Sequence, residues 1–152
     1  MHSRVEAAGE RLDGFTLQER IEDAVEMLVG VVADPVFGPV VACGGGGVTV
    51  ELQRDVAVRV APITDVDADE MVRSLATFPL LDGFRGAPKA DVGALVQTIL
   101  RAGALADAHP EIAEMDCNPV MVLPSGVKVV DVRVRVRTSP PTTPFASRSA
   151  GG

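Results

Sequence analysis

The stretch from Glu114 to Asp131, EMDCNPVMVLPSGVKVVD, constrains the fold more than any other. It reads as two strands joined by a tight turn. Pro124-Ser125-Gly126-Val127 supplies the turn, with Gly126 free to take a positive φ. The flanks, Val120 to Leu123 and Val127 to Val130, are strongly strand-forming. Alternation along a strand sends Asp116 and Asn118 to one face, and Met115 and Cys117 to the other, into a core. A turn closing between Ser125 and Gly126 places Val120 opposite Asp131. Asn118 has the parity of Val120, so Asp131 is expected on its face, a diagonal neighbour about 7–8 Å away. Two carboxylates and an amide then converge on one patch. Hard cations such as Mg²⁺ take oxygen ligands of this sort, completed by water and phosphate oxygens. The same spacing admits a plainer account. Asp and Asn are disfavoured within strands, Asn-Pro often ends one, and such pairs near turns are commonly solvated or capping.

The 152 residues suffice for one domain with a core. Hydrophobic residues make up 47 % and aromatics 3 %, with no Trp or Tyr, so the core must be aliphatic. The 21 acidic residues outnumber the 14 basic ones, which excludes a general nucleic-acid-binding surface. Cys43 and Cys117 are far apart and in no metal-type spacing, which fits a reducing cytoplasm. With only His2 and His109 available, a His/Cys zinc site is not expected. The first residues lack an apolar signal core, and no run approaches the roughly 20 apolar residues that span a membrane. A soluble, cytoplasmic protein is expected.

Along the chain, residues 1–13 read as a polar lead-in or the end of a helix. Phe15 to Ile21 alternates as a strand, and Ala24 to Ala33 is a longer apolar strand. Asp34 to Gly38 is a turn and Pro39 to Cys43 resumes the sheet, an antiparallel meander by connection length. Gly44 to Gly47 follows that strand. Such a run can offer bare amides to phosphate or serve as a flexible connector. It lacks the spacing and Lys of a Walker A loop. Arg59 lies between Val58 and Val60 on a short strand and is expected to face away from them. Thr64-x-x-Asp67 starts a helix that buries Met71, Val72 and Leu75. Thr77 to Lys89 reads as a loop. Asp91 caps a second helix whose Val92, Leu95, Val96, Ile99 and Leu100 form one buried face, ending near His109-Pro110. Val132 to Arg137 alternates valine with arginine as a half-exposed strand. Residues 138–152 read as a disordered tail.

The hairpin resembles the metal-binding hairpin of ATP-grasp enzymes, specifically of NDP-forming acyl-CoA synthetases and the succinyl-CoA synthetase β subunit. Their pattern, acidic-x-Asn-Pro and then an Asp at the end of the return strand, is matched by Asp116, Asn118, Pro119 and Asp131. The segment GGGGVTVELQRDVAVRVAP resembles the GGVxVEL…DVAxRxAP stretch of the same family through Gly46, Gly47, Val48, Val50, Glu51, Leu52, Asp55, Val56, Ala57, Arg59, Ala61 and Pro62. Leu81-x-Gly83-Phe84-Arg85-Gly86 is similar as well, with Arg85 a phosphate or partner contact.

The resemblance implies an α+β fold, an antiparallel sheet with two helices packed on it, forming the carboxy-terminal ATP-grasp subdomain over residues 14–137. It implies ATP or ADP with Mg²⁺ as cofactors. Asp116, Asn118 and Asp131 become metal ligands, and Asn118 also a nucleotide contact. Gln18 to Ile21 becomes the adenine hinge, with Glu19 and Ile21 contacting nucleotide. Glu26, seven residues after Glu19, becomes the ribose ligand, and Arg59 the catalytic residue holding the transferring phosphate. The plainer reading of Glu19 and Glu26 is two solvent-facing strand residues. The full enzyme would interconvert acyl-CoA, ADP and phosphate with acid, CoA and ATP. Its amino-terminal ATP-grasp half and its CoA-binding domain or subunit are expected before Met1 or on another chain, leaving this chain inactive alone. The alternative is a nucleotide-sensing module or remnant, or one that regulates a protein acetyltransferase. An exposed apolar face is expected where the missing half docks, and self-association through it would give a homodimer.

Overall fold

The computed structural model describes residues 14, 16–47 and 55–138. The expected lead-in at 1–13, Phe15, the 48–54 part of the family-like segment and the tail from residue 139 lie outside the described residues. The chain is α+β. Six antiparallel strands form one sheet: β1 Val25–Asp34, β2 Gly38–Gly45, β3 Val56–Val60, β4 Ile112–Val122, β5 Val127–Val129 and β6 Val132–Val136. Their order is β3-β2-β1-β4-β5, with β6 continuing beside β4 on the edge that β5 begins. Two helices, α1 Asp65–Ser74 and α3 Val92–Ala108, pack on one face.

The meander β1-β2-β3 follows from the turn chemistry at Asp34 to Gly38. The Asp34 carboxylate accepts the Val36 and Phe37 amides at 2.8 and 2.9 Å. The predicted strand over residues 15–21 is not formed: residues 16–22 run without strand pairing. Alternating apolar residues alone do not make a strand, because strand preference rests on packing against neighbouring strands. Thr64 caps α1 in a reciprocal box with Asp67, and Met71, Val72 and Leu75 are buried as expected. The expected loop from Thr77 to Lys89 instead holds a short helix, α2 Phe78–Leu81, and a 3₁₀ turn at Phe84–Gly86. Pro79 sits in the first turn of α2, where its missing N–H costs nothing.

The core lies between sheet and helices and is aliphatic throughout. Met27, Val29, Val31, Val41, Cys43, Val120 and Val122 from the sheet meet Met71, Leu95 and Ile99 from the helices. Gly103 lets α3 approach β2, where a Cβ would meet the Val41 side chain at 3.3 Å. Among the described residues no helix packs on the opposite face of the sheet. Val32, Val56, Val58 and Val60 lie half exposed there, the uncovered apolar surface expected from the sequence.

Gly44 to Gly47 is a packing device rather than a flexible connector. A Cβ at Gly46 would stand 2.6 Å from the Glu26 carbonyl carbon and 2.8 Å from the Met27 nitrogen. The Gly46 amide donates to the Glu26 carbonyl at 2.7 Å, and the Gly45 amide to the Asp55 carbonyl at 3.2 Å. Those two amides are thus taken by backbone, not offered to a phosphate. We expect Gly46→Ala to cost about 1–3 kcal/mol in urea unfolding, because only backbone stands in the way. Gly93→Ala, whose Cβ would make an ordinary 3.5 Å contact with Asp91, is expected to cost nothing.

Candidate functional site

The hairpin of β4, β5 and β6 closes one residue earlier than its turn residues suggested. The Leu123 amide donates to the Gly126 carbonyl at 3.0 Å, and Val120 pairs with Val129 rather than with Asp131. Below that, the Asn118 amide donates to the Asp131 carbonyl at 3.1 Å, and Asp116 pairs with Arg133. Asn118 and Asp131 are therefore direct cross-strand partners, not diagonal ones. Val120 is fully buried while Asn118 is exposed, so their shared parity did not mean a shared face. The reason is a bulge. β1 runs from Met27 to Val29 while β4 runs from Val120 to Cys117, one residue more, and the extra residue turns the strand. Met115 and Cys117 do point into the core.

The outer face of this ribbon carries a ladder of charge. Glu114 faces Arg135, which grips it through Nε at 3.1 Å and Nη2 at 2.8 Å. Asp116 faces Arg133. At the third rung Asp131 faces the neutral Asn118. Further up, Lys128 holds Glu19 at 2.6 Å. Among the described residues no three His, Cys, Asp or Glu side chains gather into a metal cluster. The candidate set here is two carboxylates and an amide, all oxygen donors, the chemistry that suits Mg²⁺ and not a soft metal.

The hinge residues meet the same ribbon from above. Lys128 pairs with Met121 and Met121 with Glu26, so Glu26, Met121 and Lys128 form one row across β1, β4 and β5. Glu19 is tied to the end of that row by its ion pair with Lys128, and Ile21 is half-buried between them in sequence. Glu26 also walls an open cleft of about 440 Å³ with Gly46, Gly47, Thr77, Leu80 and Phe84. Gly47, at φ +75°, leaves space for the Glu26 carboxylate, which a Cβ would meet at 2.8 Å.

Arg59 is not part of this arrangement. It does face away from Val58 and Val60, but those valines occupy the uncovered face. Arg59 pairs with the buried Val41 and turns to the helix side, 3.8 Å from Glu70 of α1. The expected phosphate contact thus lies across the sheet from Asp116, Asn118 and Asp131. Arg85 stacks at 5.2 Å over its neighbour Phe84, at φ 55° between two positive-φ glycines. The cysteines are inert. Burial pushes the Cys43 thiol up to about 12, with the Asp55 charge adding to it, and burial also raises that of Cys117.

Two structural carboxylates have partners that the sequence reading missed. Asp91 was expected as a helix cap, and one oxygen does accept the Ala94 amide at 2.9 Å. Its other oxygen accepts the Gly126 amide of the hairpin turn at 2.8 Å, a partner 35 residues on that no local pattern reveals. Asp55 accepts the Ala76 and Thr77 amides at 2.8 Å each and the Thr77 hydroxyl, tying the start of β3 to the end of α1. Partial burial works against its charge, but these bonds prevail and hold its carboxyl below the usual range.

A family model for the ATP-grasp domain matches residues 1–136. The chain belongs to the ATP-grasp family. Within that family it is 44% identical over 124 residues to an ADP-forming acetate–CoA ligase of Archaeoglobus fulgidus, a match covering 82% of this chain and 18% of the relative. It is 44% identical over 109 residues to the β subunit of an ADP-forming acetate–CoA ligase of Pyrococcus furiosus, covering 72% and 47%. It is also similar, at TM-score 0.72 and 48% identity, to the acetyl-coenzyme A synthetase 1 of Ca. Korarchaeum cryptofilum, whose structure holds coenzyme A and Mg-AMPPCP. That match covers 74% of this chain and 53% of the other. The chain thus spans about half the length of the β subunit and under a fifth of the single-chain ligase. Among the described residues no helix is long and apolar enough to cross a membrane.

The Asp91 bridge gives a pH-dependent expectation. Hydrogen bonds from Ala94 and Gly126 lower its carboxyl in the fold, from an ordinary value of 3.8. Its contribution is therefore complete above 3.8 and lost as pH falls through the lowered value. Asp91→Ala should lower Tm by roughly 3–8 °C at neutral pH, and the gap to wild type should close in acid, as thermal melts followed by circular dichroism will show.

Proposed function

We propose that this chain is the Mg-nucleotide-binding part of an ADP-forming acyl-CoA synthetase, an acid–thiol ligase that interconverts acyl-CoA, ADP and phosphate with acid, CoA and ATP. The observation that carries this reading is the third rung of the ribbon. Its neighbours each pair an acid with an arginine, whereas Asp131 faces the neutral Asn118. A divalent ion held by Asp131 and Asn118, with Asp116 one rung away, would supply positive charge where that rung has only the loose contact of Arg133 with Asp131 at 3.6 Å. When bound, the ion would bridge nucleotide phosphate oxygens and draw charge from them. In this reading Glu26 accepts the two ribose hydroxyls, and backbone at Gln18 to Ile21 reads the adenine edge.

The rest of the reaction needs surroundings that this face of the sheet does not provide by itself. Charge on a transferring phosphoryl group must be enclosed by fixed donors. Among the described residues Arg59 is turned to the other face. The binding reading therefore carries catalysis only with a second body over the valine-lined face, an amino-terminal ATP-grasp half together with a CoA-binding domain or subunit. Self-association of this chain through the same face would give a homodimer. The position of Arg59 also favours the second reading, a non-catalytic nucleotide-sensing module, such as one regulating a protein acetyltransferase.

Calorimetry tests the site. Mg·ADP should bind more tightly than metal-free ADP, and Asn118→Ala or Asp131→Ala should remove the difference. Equal affinities in wild type and both variants would contradict it. Purified chain alone should form no acyl-CoA; measurable turnover would contradict the half-site reading.

A further inference from the structure

The two arginines of the charge ladder are held in different ways. Arg135 is committed, with two nitrogens on one Glu114 oxygen at 3.1 and 2.8 Å. Arg133 is 83% exposed, and its nearest carboxylate oxygen is on Asp131 at 3.6 Å, beyond hydrogen-bond reach. Its cross-strand partner is Asp116. Its guanidinium thus stands between two rungs and is fastened to neither. A shallow pocket of about 280 Å³, lined by Glu114, Asp116, Arg133, Val134 and Arg135, gives it room to move.

We propose that Arg133 is a built-in counter-ion for the cation rung, a positioning residue that neutralises Asp131 and Asp116 until a divalent ion displaces it. The inference rests on the reading of Asn118 and Asp131 as metal ligands. Without Arg133, two carboxylates on adjacent rungs repel each other across an exposed face. A tightly bonded arginine would block the rung. One held at 3.6 Å compensates the charge at little cost to remove, since exposed pairs of this kind are weak. The consequence is a threshold. The free protein should hold a bare divalent ion poorly, so that the ion arrives with the phosphates of its nucleotide.

The probe is Mn²⁺ alone, titrated into the full chain without nucleotide and read by the electron paramagnetic resonance signal of the free ion. Arg133→Met should bind Mn²⁺ roughly two- to five-fold more tightly than wild type. Arg133→Lys, which keeps the charge, should stay close to wild type. Arg135→Met removes the same charge from the same face and should tighten binding less. Asp131→Asn in the Arg133→Met background should abolish the gain. An unchanged or weaker affinity in Arg133→Met, or an equal gain in Arg135→Met, would overturn the counter-ion role while leaving the metal site standing. A gain that survives Asp131→Asn, or no Mn²⁺ binding by either protein, would overturn both.

Discussion

One carboxylate, that of Asp91, sets the geometry on which the candidate site depends. It caps α3 with one oxygen and holds the Gly126 amide with the other, while its own amide donates to the Leu123 carbonyl at 2.8 Å. Both ends of the hairpin turn are thereby anchored to the start of a buried helix. A hairpin can slip along its partner, and a slip of one residue exchanges its faces. Anchoring the turn fixes the register, and the register makes Asn118 and Asp131 direct partners. A bond far from any ligand thus decides where the oxygen donors meet.

The other wall of the site is built from the absence of side chains. Gly44 to Gly46 lets β2 end against the backbone of Glu26, against Thr77 and against the Asp55 carbonyl, each with an added Cβ under 3.0 Å from a neighbouring atom. Asp55 then draws the end of α1 onto the same corner. Glu26 is held between this corner and the hairpin. The result is a rigid sheet whose uncovered face carries polar donors on one side and half-exposed valines on the other. The chain spans about half the length of the β subunit it resembles.

The elements with strong periodicity were legible in the sequence: both long helices with their caps, the meander, and the apolar side of β4. Three features were not. The bulge at Asn118-Pro119 breaks the two-residue period, so counting from Val120 gave the right face for Asp131 by a wrong route. The turn closes at Leu123 and Gly126, one residue before the expected place, so each cross-strand partner moves by two and Asn118 meets Asp131 directly. Arg59 was read correctly as opposite to its valines, but alternation cannot say which face is covered. On an edge strand the usual rule inverted, leaving the valines outside and the arginine toward α1. Resemblance singled out Glu19 and Glu26 where pattern singled out neither; the fold sets Glu26 in one row with Met121 and Lys128, and Lys128 holds Glu19.

The central claim is that Asn118 and Asp131 share one divalent ion at the foot of a bound nucleotide. Amide resonances of the isotopically labelled chain, followed as Mn²⁺ is added with ADP, test it most directly. Relaxation by the paramagnetic ion falls steeply with distance, so the account predicts that the Asn118, Asp131 and Asp116 amides vanish first and that those of α3 persist. Broadening centred elsewhere, on the acidic start of α1 or the Asp82 corner, would contradict it.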